Sequence, residues 1–150
     1  MRKRKILKWG QRGSTISEFA ISATVFLTML FGVLDFGRLL WTHNALADAV
    51  RHGARYAVSN SVTSTSTTAI KNTVVYGNPQ GGTRPTVTGL TLSQVEITYD
   101  NIGLGRGTAT VKIKGFQFRF VTLFLGVSLQ MPDYRTTLTG ETLGFAPPRI

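Results

Sequence analysis

The chain has 150 residues, of which 42% are hydrophobic and only 16% are charged, and its length suits one ordinary domain. This composition excludes a fully disordered chain, and the presence of a single long apolar segment excludes a polytopic membrane protein. The lack of cysteine excludes a disulfide scaffold, a thiolate zinc site and a cysteine nucleophile. With two histidines and seven acidic residues, we expect no enzyme, no cofactor and no metal site.

The net charge of +10 is concentrated at the amino terminus. Six basic residues and no acidic residue occur in the first twelve positions: Arg2, Lys3, Arg4, Lys5, Lys8 and Arg12. Taken alone, such a tail is typical of nucleic-acid binding. Because an apolar segment follows it, the tail instead predicts membrane topology, with a cytoplasmic amino terminus, an external carboxyl terminus and no nucleic-acid partner.

The apolar segment predicts a membrane-spanning helix. Residues Phe19–Leu34 carry no charge, and the mostly apolar stretch continues to Trp41, which reaches the ~20 residues that a span requires. Asp35 and Arg38 are three positions apart, so they share a helical face and are predicted to pair where the helix leaves the membrane. Trp9 and Trp41 occupy the positions of interfacial aromatic anchors.

Two other interpretations of this segment were weighed. A buried core helix is disfavoured by the basic flank and by the lack of a polar stripe across the apolar run. A secretory signal peptide is suggested by the A-x-A sequence at 45–47. That site lies well beyond Leu34, with Asp35 and Arg38 in between, whereas a signal-peptidase site closely follows the apolar core.

A glycine and an acidic residue stand just before the apolar run. Gly13 precedes Glu18 by five positions, and Glu18 lies at the edge of the apolar segment. An unpaired carboxylate at a membrane edge is costly. We therefore expect Glu18 to have a cationic partner at the same membrane depth.

The spacing of Gly13 and Glu18 resembles the prepilin-peptidase processing motif of type IV pilins and pseudopilins. A wider set of positions resembles the TadE-like minor pseudopilins of tight-adherence (Flp) pilus systems: Glu18-Phe19, Gly32, Asp35-Phe36-Gly37-Arg38 and Ala54-Arg55-Tyr56-Ala57. The mid-segment proline common in that family is replaced here by Ala23-Thr24, which puts only a helix kink in doubt.

The resemblance implies cleavage after Gly13, so that Ser14 becomes the new amino terminus. It also implies that Glu18, with Phe19 beside it, sets the register of assembly by pairing with the terminal amine of a neighbouring subunit. The implied partners are the bacterial inner membrane, a prepilin peptidase, other pilins and the pilus assembly machinery. The implied location is a single-pass inner-membrane protein with an external domain, with possible incorporation into the pilus and a role in adhesion.

The helix is predicted to continue to Val58, because apolar residues recur at three- and four-residue spacing. Its outer half carries a stripe of small residues: Ala45, Ala49, Gly53 and Ala57. Small residues allow helices to approach closely. The stripe is predicted to pack on the protein's own sheet, on neighbouring subunits, or on both through different faces.

The remaining ninety residues predict a small antiparallel sheet of about four strands. Residues 60–68 suggest a loop or a frayed helix end, 69–76 a helix or a strand, and 77–82 a loop. Two-residue alternation predicts strands at 95–100, at 109–120 with a bulge at Gly115, at 127–131 and at 134–139. A weaker strand is predicted at 86–91 and a helical turn at 123–125.

Patterns that imitate catalytic or binding sites have simpler explanations. The glycines at 103, 105 and 107 are followed by no helix, so they do not predict a phosphate loop. His43 and His52 face opposite sides of a helix and cannot form a zinc pair. The basic and aromatic residues at 112–120, with Arg135, predict a solvated strand edge protected by lysine, and a weak DNA- or surface-binding role stays open.

The sequence thus predicts an α+β, pilin-like fold in four segments. These are a basic leader at 1–13, a transmembrane helix at 14–41, an extramembrane continuation of the helix at 42–59 and an extracytoplasmic β-rich domain at 60–150. The predicted function is a minor pilin or pseudopilin. The alternative is an unprocessed bitopic membrane protein whose external domain binds a ligand or an envelope partner.

Overall fold

A computed structural model describes residues 11–60, 64–100, 107–121 and 128–140. Its dominant element is α1, Gln11–Ser59, a helix of 49 residues. No proline interrupts this stretch, so every interior turn keeps its backbone hydrogen bonds. The predicted long helix is therefore confirmed. A second helix, α2, covers Ser64–Tyr76.

Within the described residues, five strands form two antiparallel sheets. The larger sheet has the order β1-β2-β5, with β1 at Val95–Asp100, β2 at Gly107–Ile113 and β5 at Tyr134–Gly140. The smaller sheet pairs β3, Gln117–Arg119, with β4, Ser128–Gln130. The predicted α+β architecture is confirmed, but the strands belong to two sheets and not to one.

The hydrophobic core is built by the outer half of α1, by α2 and by one face of the larger sheet. Along β2, buried residues alternate with half-buried ones, as expected for a strand with one covered face. The fully buried side chains come from all three layers: Leu46, Val50, Ala54, Ala57, Ile70, Val74, Val75, Val95, Ala109, Val111 and Ile113. Cysteine is absent, so the covering helices supply the burial that stabilises this small sheet.

The small-residue stripe of α1 packs inside the protein, chiefly where α1 meets α2. A Cβ atom added to Gly53 would overlap Cγ2 of Val74 and would lie 3.6 Å from Val111. Gly53 therefore lets α2 approach the long helix closely. The predicted packing on the protein's own sheet is confirmed through Val111, and the sequence missed α2 as the closer partner.

Two predictions about the connecting segments are wrong, namely the loop or frayed helix end at 60–68 and the strand at 86–91. The polar stretch at 60–68 is helical from Ser64 onward, because Ile70 and its neighbours on α2 are buried against α1. Residues 86–91 form a turn, since Gly89 has a φ of +93°. Thr91 then begins a 3₁₀ turn, and its backbone N–H donates a 2.9 Å hydrogen bond to Oε1 of Gln94.

Two predictions about the strands are also wrong. Gly115 is not a bulge: its φ of +66° ends the larger sheet and sends the chain toward β3. The lysines do not protect a sheet edge, because Lys112 lies on the central strand and pairs with Asp133 at 2.7 Å. Lys114 pairs with Glu96 across the same sheet. The leader before residue 11, the glycines at 103 and 105 and the predicted turn at 123–125 lie outside the described residues.

Candidate assembly segment and membrane-exit cluster

The amino-terminal part of α1 touches almost nothing else in the described chain. From Ser14 to Leu34 every residue is exposed except the half-buried Ala23, and its most apolar 18-residue window is only 6% buried. These 21 residues measure about 32 Å, close to the ~30 Å thickness of a bilayer's hydrocarbon core. The helix is thus long and apolar enough to span a membrane, and this segment is not a core helix of the described protein.

The predicted processing and register residues lie at the free end of this segment. Gly13 and Ser14 are in the first turns of α1, where the carbonyl of Ser14 accepts a 2.8 Å hydrogen bond from Oγ of Ser17. Glu18 and Phe19 are both exposed. Within residues 11–60, 64–100, 107–121 and 128–140, Glu18 makes no ion pair. Its carboxylate is therefore accessible to a partner outside this chain.

Asp35 is the first buried residue along the helix, with 4% of its surface exposed. Its Oδ1 accepts a 2.9 Å hydrogen bond from Nη1 of Arg38, one turn further along the same helix. The same oxygen accepts a 3.2 Å hydrogen bond from the backbone N–H of Val121. Of the two pairings that the spacing allowed, within one helix or between subunits, the structure contains the pairing within the helix.

Arg38 connects this carboxylate to the aromatic residues of the smaller sheet. Its Cζ lies 5.5 Å from the centroid of the Phe118 ring, within the range of a cation–π contact. Phe118 in turn makes an edge-to-face contact with Phe120 at 5.2 Å. We call Asp35, Arg38, Phe118 and Val121 the membrane-exit cluster, after the predicted position of the first two. The cluster attaches the β3 segment to α1 where the exposed apolar segment ends.

A second polar contact joins α1 to the larger sheet two turns further on. Nδ1 of His43 and the hydroxyl of Tyr134 are 2.7 Å apart, and the two rings meet edge to face at 5.2 Å. Burial raises the pKa of Tyr134 above its ordinary value. His52 is exposed elsewhere on the helix, so the two histidines do not converge. The described residues contain no group of three or more His, Cys, Asp or Glu side chains suited to a metal ion.

The sequence singled out Asp35 and Arg38 but missed their partners. The inward position of Phe118 is implied by strand alternation, because Phe118 is buried between the exposed Gln117 and Arg119. Val121 contributes only its backbone N–H, which any residue except proline carries. No residue pattern could have identified that donor.

Comparison with known proteins finds one family. The family described as TadE-like protein matches residues 13–55, which include Gly13, Ser14, Glu18 and both members of the Asp35–Arg38 pair. Neither the curated proteins nor the solved structures gave a match. The match associates the chain with tight-adherence pilus systems and with the membrane. Residues 13–55 of this chain thus match the TadE-like family that their motifs predicted.

Proposed function

We propose that this protein is a minor pilin or pseudopilin of a tight-adherence pilus, cut after Gly13 by a prepilin peptidase. The observation that carries the proposal is the exposed apolar stretch from Ser14 to Leu34, which lies wholly inside the TadE-like match. A surface this apolar and this long requires lipid or other helices around it. A pilin helix is surrounded by lipid while it is in the membrane and by other helices once it is in the filament.

In this proposal, Glu18 pairs with the Ser14 amine of a neighbouring subunit. Cleavage after Gly13 creates that amine four positions from Glu18, at nearly the same depth in the membrane. The exposure of Glu18 supports the pairing, because its carboxylate is accessible and a lone charge at a membrane edge is costly. The pair would set the axial register between adjacent helices, with Phe19 packing beside it.

The proposed orientation follows from the charge of the leader. The basic residues before Gly13 favour a cytoplasmic amino terminus, so the domain that begins at Asp35 would face the periplasm or the exterior. The role is structural and not enzymatic. Its support is the composition, which has few titratable side chains, and the pairing of Asp133, Glu96 and Asp48 with basic neighbours.

Processing requires a local opening of the helix. The peptide bond between Gly13 and Ser14 lies within α1, in the first turns of its described part. A protease binds its substrate in an extended form, and helix ends open at little cost in free energy. Gly13 favours such opening, because glycine costs about 1 kcal/mol relative to alanine in a helix.

The test is the intact mass and amino-terminal sequence of the protein from its native membrane, with and without the prepilin peptidase. We expect a chain that begins at Ser14 only when the peptidase is present. Gly13→Val should leave the leader attached, whereas the matched control Gly10→Val should be cut normally. An intact leader under both conditions would favour the unprocessed bitopic membrane protein. A chain that begins at Asp48 would indicate an ordinary secreted domain.

A further inference from the structure

A cleft of about 550 Å³ opens beside the membrane-exit cluster. It lies between α1 and the start of β3, and Arg38 and Arg119 both line it. Three aromatic residues, Trp41, Phe116 and Phe118, also line it, beside polar side chains that include Thr42 and Gln94. The cleft thus combines two guanidinium groups with an apolar surface.

The charges around this cleft favour an anion. No acidic side chain lines it among the described residues. Arg38 uses Nη1 for Asp35, and about half of its side chain remains exposed. Arg119 is exposed and makes no ion pair with any residue in the described ranges. A guanidinium group presents several N–H donors in one plane, a geometry that matches phosphate oxygens.

The position of the cleft along the helix indicates where the anion comes from. If Ser14–Leu34 fills the hydrocarbon core, the next seven residues to Trp41 rise about 10 Å through the headgroup layer. Trp41 has 62% of its surface exposed, as expected for a tryptophan in an interfacial belt. The exposed apolar face of α1 continues directly below the cleft through Leu34 and Phe31.

We propose that this cleft binds the phosphate headgroup of an anionic phospholipid in the leaflet that the helix leaves. Arg38 and Arg119 contact the phosphate, and the acyl chains lie along the exposed face of α1 below Trp41. The proposal rests on the membrane orientation given under the proposed function. A lipid is favoured over free phosphate because the cleft adjoins the exposed apolar face of α1, which can contact acyl chains but offers nothing to a small hydrated ion.

The test uses the full chain in phosphatidylcholine vesicles, with Trp41 as the fluorescent reporter. The chain has two tryptophans, so Trp9→Phe leaves Trp41 alone. A small fraction of brominated phosphatidylglycerol or brominated phosphatidylcholine is added as the quencher. We expect phosphatidylglycerol to quench Trp41 at a lower mole fraction than phosphatidylcholine does. Arg119→Gln should reduce this preference roughly fivefold, the usual effect of one arginine near an anionic surface.

Arg119 is a better residue to change than Arg38, because changing Arg38 would also remove the partner of Asp35. Arg119→Lys retains the charge and should keep most of the preference. Arg55→Gln removes another exposed arginine, which does not line the cleft, and should leave the preference unchanged.

Three results would overturn the lipid site. Equal quenching by the two brominated lipids would show that the cleft does not select an anion. Loss of the preference in inorganic phosphate would identify free phosphate as the ligand. Quenching by neither lipid would mean that Trp41 is away from the bilayer, which would also contradict the proposed orientation. Equal quenching, in contrast, leaves that orientation intact, so the two failures are distinguishable.

Discussion

The backbone N–H of Val121 donates a 3.2 Å hydrogen bond to Oδ1 of Asp35, across 86 positions of sequence. This contact joins the end of the β3 segment to α1 at the helix's first buried residue. The Asp35 carboxylate is almost fully buried, and hydrogen bonds from Arg38 and from the Val121 amide stabilise its negative charge. One side chain therefore marks both the end of the exposed apolar segment and the start of the packed domain.

Asp35→Asn should destabilise the packed domain by about 1–3 kcal/mol, the usual cost of losing charge-assisted hydrogen bonds in a buried site. The asparagine side chain is nearly the same size as that of aspartate, so the loss of stability reports the removed charge and not a change in volume. The measurement is chemical unfolding of the full chain in a neutral detergent. Hydrogen exchange at residues 117–121 should accelerate in the same variant.

The Asp48–Arg51 pair is a matched control for this prediction. It has the same three-residue spacing and a 3.1 Å contact, but both side chains are more than 60% exposed. Exposed pairs of this kind contribute about 0.5 kcal/mol or less. Asp48→Asn should therefore change the free energy of unfolding very little, and equal losses in the two variants would contradict the role given to Asp35.

Gly53→Ala should lower the melting temperature, although alanine is the better helix former. The new methyl group would overlap Cγ2 of Val74, and overpacking of this kind costs about 1–3 kcal/mol. In a chain that already carries Val74→Ala, Gly53→Ala should lower the melting temperature less than it does in the wild type, because the smaller side chain leaves room for the new methyl group. Gly37→Ala is the control, because a Cβ there meets nothing within 4 Å. Destabilisation by Gly37→Ala as large as that by Gly53→Ala would show that the cause is not the α1–α2 contact.

Two tyrosines should respond to the same substitution with opposite signs. The hydroxyl of Tyr99 is buried and has no hydrogen-bond partner in the described part of the chain, so Tyr99→Phe should stabilise the protein by up to about 1 kcal/mol. Tyr134→Phe loses the contact with His43 and should destabilise it by about 0.5–1.5 kcal/mol. Urea unfolding at neutral pH measures both. Stabilisation by Tyr134→Phe would refute the contribution of the His43 contact.

The same tyrosines predict a loss of stability in alkali. Burial raises the pKa of both Tyr99 and Tyr134 above the ordinary value of about 10. Below that value both residues are protonated in the folded and unfolded states, and their full contribution is present. As the pH rises through the folded pKa values, only the unfolded chain releases its protons freely, so stability falls.

The measurement is the urea midpoint of the wild type and of the Tyr99→Phe/Tyr134→Phe double variant as the pH is raised past about 10. The two chains differ only in these two hydroxyl groups, so the difference between their curves isolates the tyrosines. Parallel curves would mean that the tyrosines contribute nothing to the alkaline transition.

Glu18→Ala should leave cleavage after Gly13 largely intact and reduce the number of assembled pili. The side chain is exposed, so its loss should not disturb folding. Glu18→Asp keeps the charge on a shorter stem and should restore assembly in part. Amino-terminal sequencing and pilus counts on cells provide the two readouts. Normal pili with Glu18→Ala would rule out a register role for this carboxylate.

The first sixty residues were predictable because their patterns are local. An uninterrupted apolar run and three- and four-residue spacing determine α1, and two-residue alternation determines β1 and β2. A strand at 86–91 was the wrong prediction, because threonine and valine favour strands but Gly89 adopts a positive φ that turns the chain. Helix α2 was obscured because its first residues are serine and threonine, and its burial against α1 is a tertiary effect.

The membrane-exit cluster was only half predictable. Asp35 and Arg38 are separated by one helical turn, so their spacing alone indicated a pair. Phe118 on β3 and Val121 just after it reach them from the smaller sheet. The position of that sheet depends on Gly115, which ends the larger sheet and redirects the chain. A contact that depends on the path of the backbone has no local signature.

The position of β5 has a consequence for biogenesis. β5 pairs along the whole length of β2, and Tyr134 at its start contacts α1, yet β5 lies near the carboxyl end of the chain. In the proposed orientation α1 would emerge first, and both β2 and His43 would lack their partners on β5 until that strand has crossed the membrane. In that orientation the larger sheet could be completed only after β5 has been translocated.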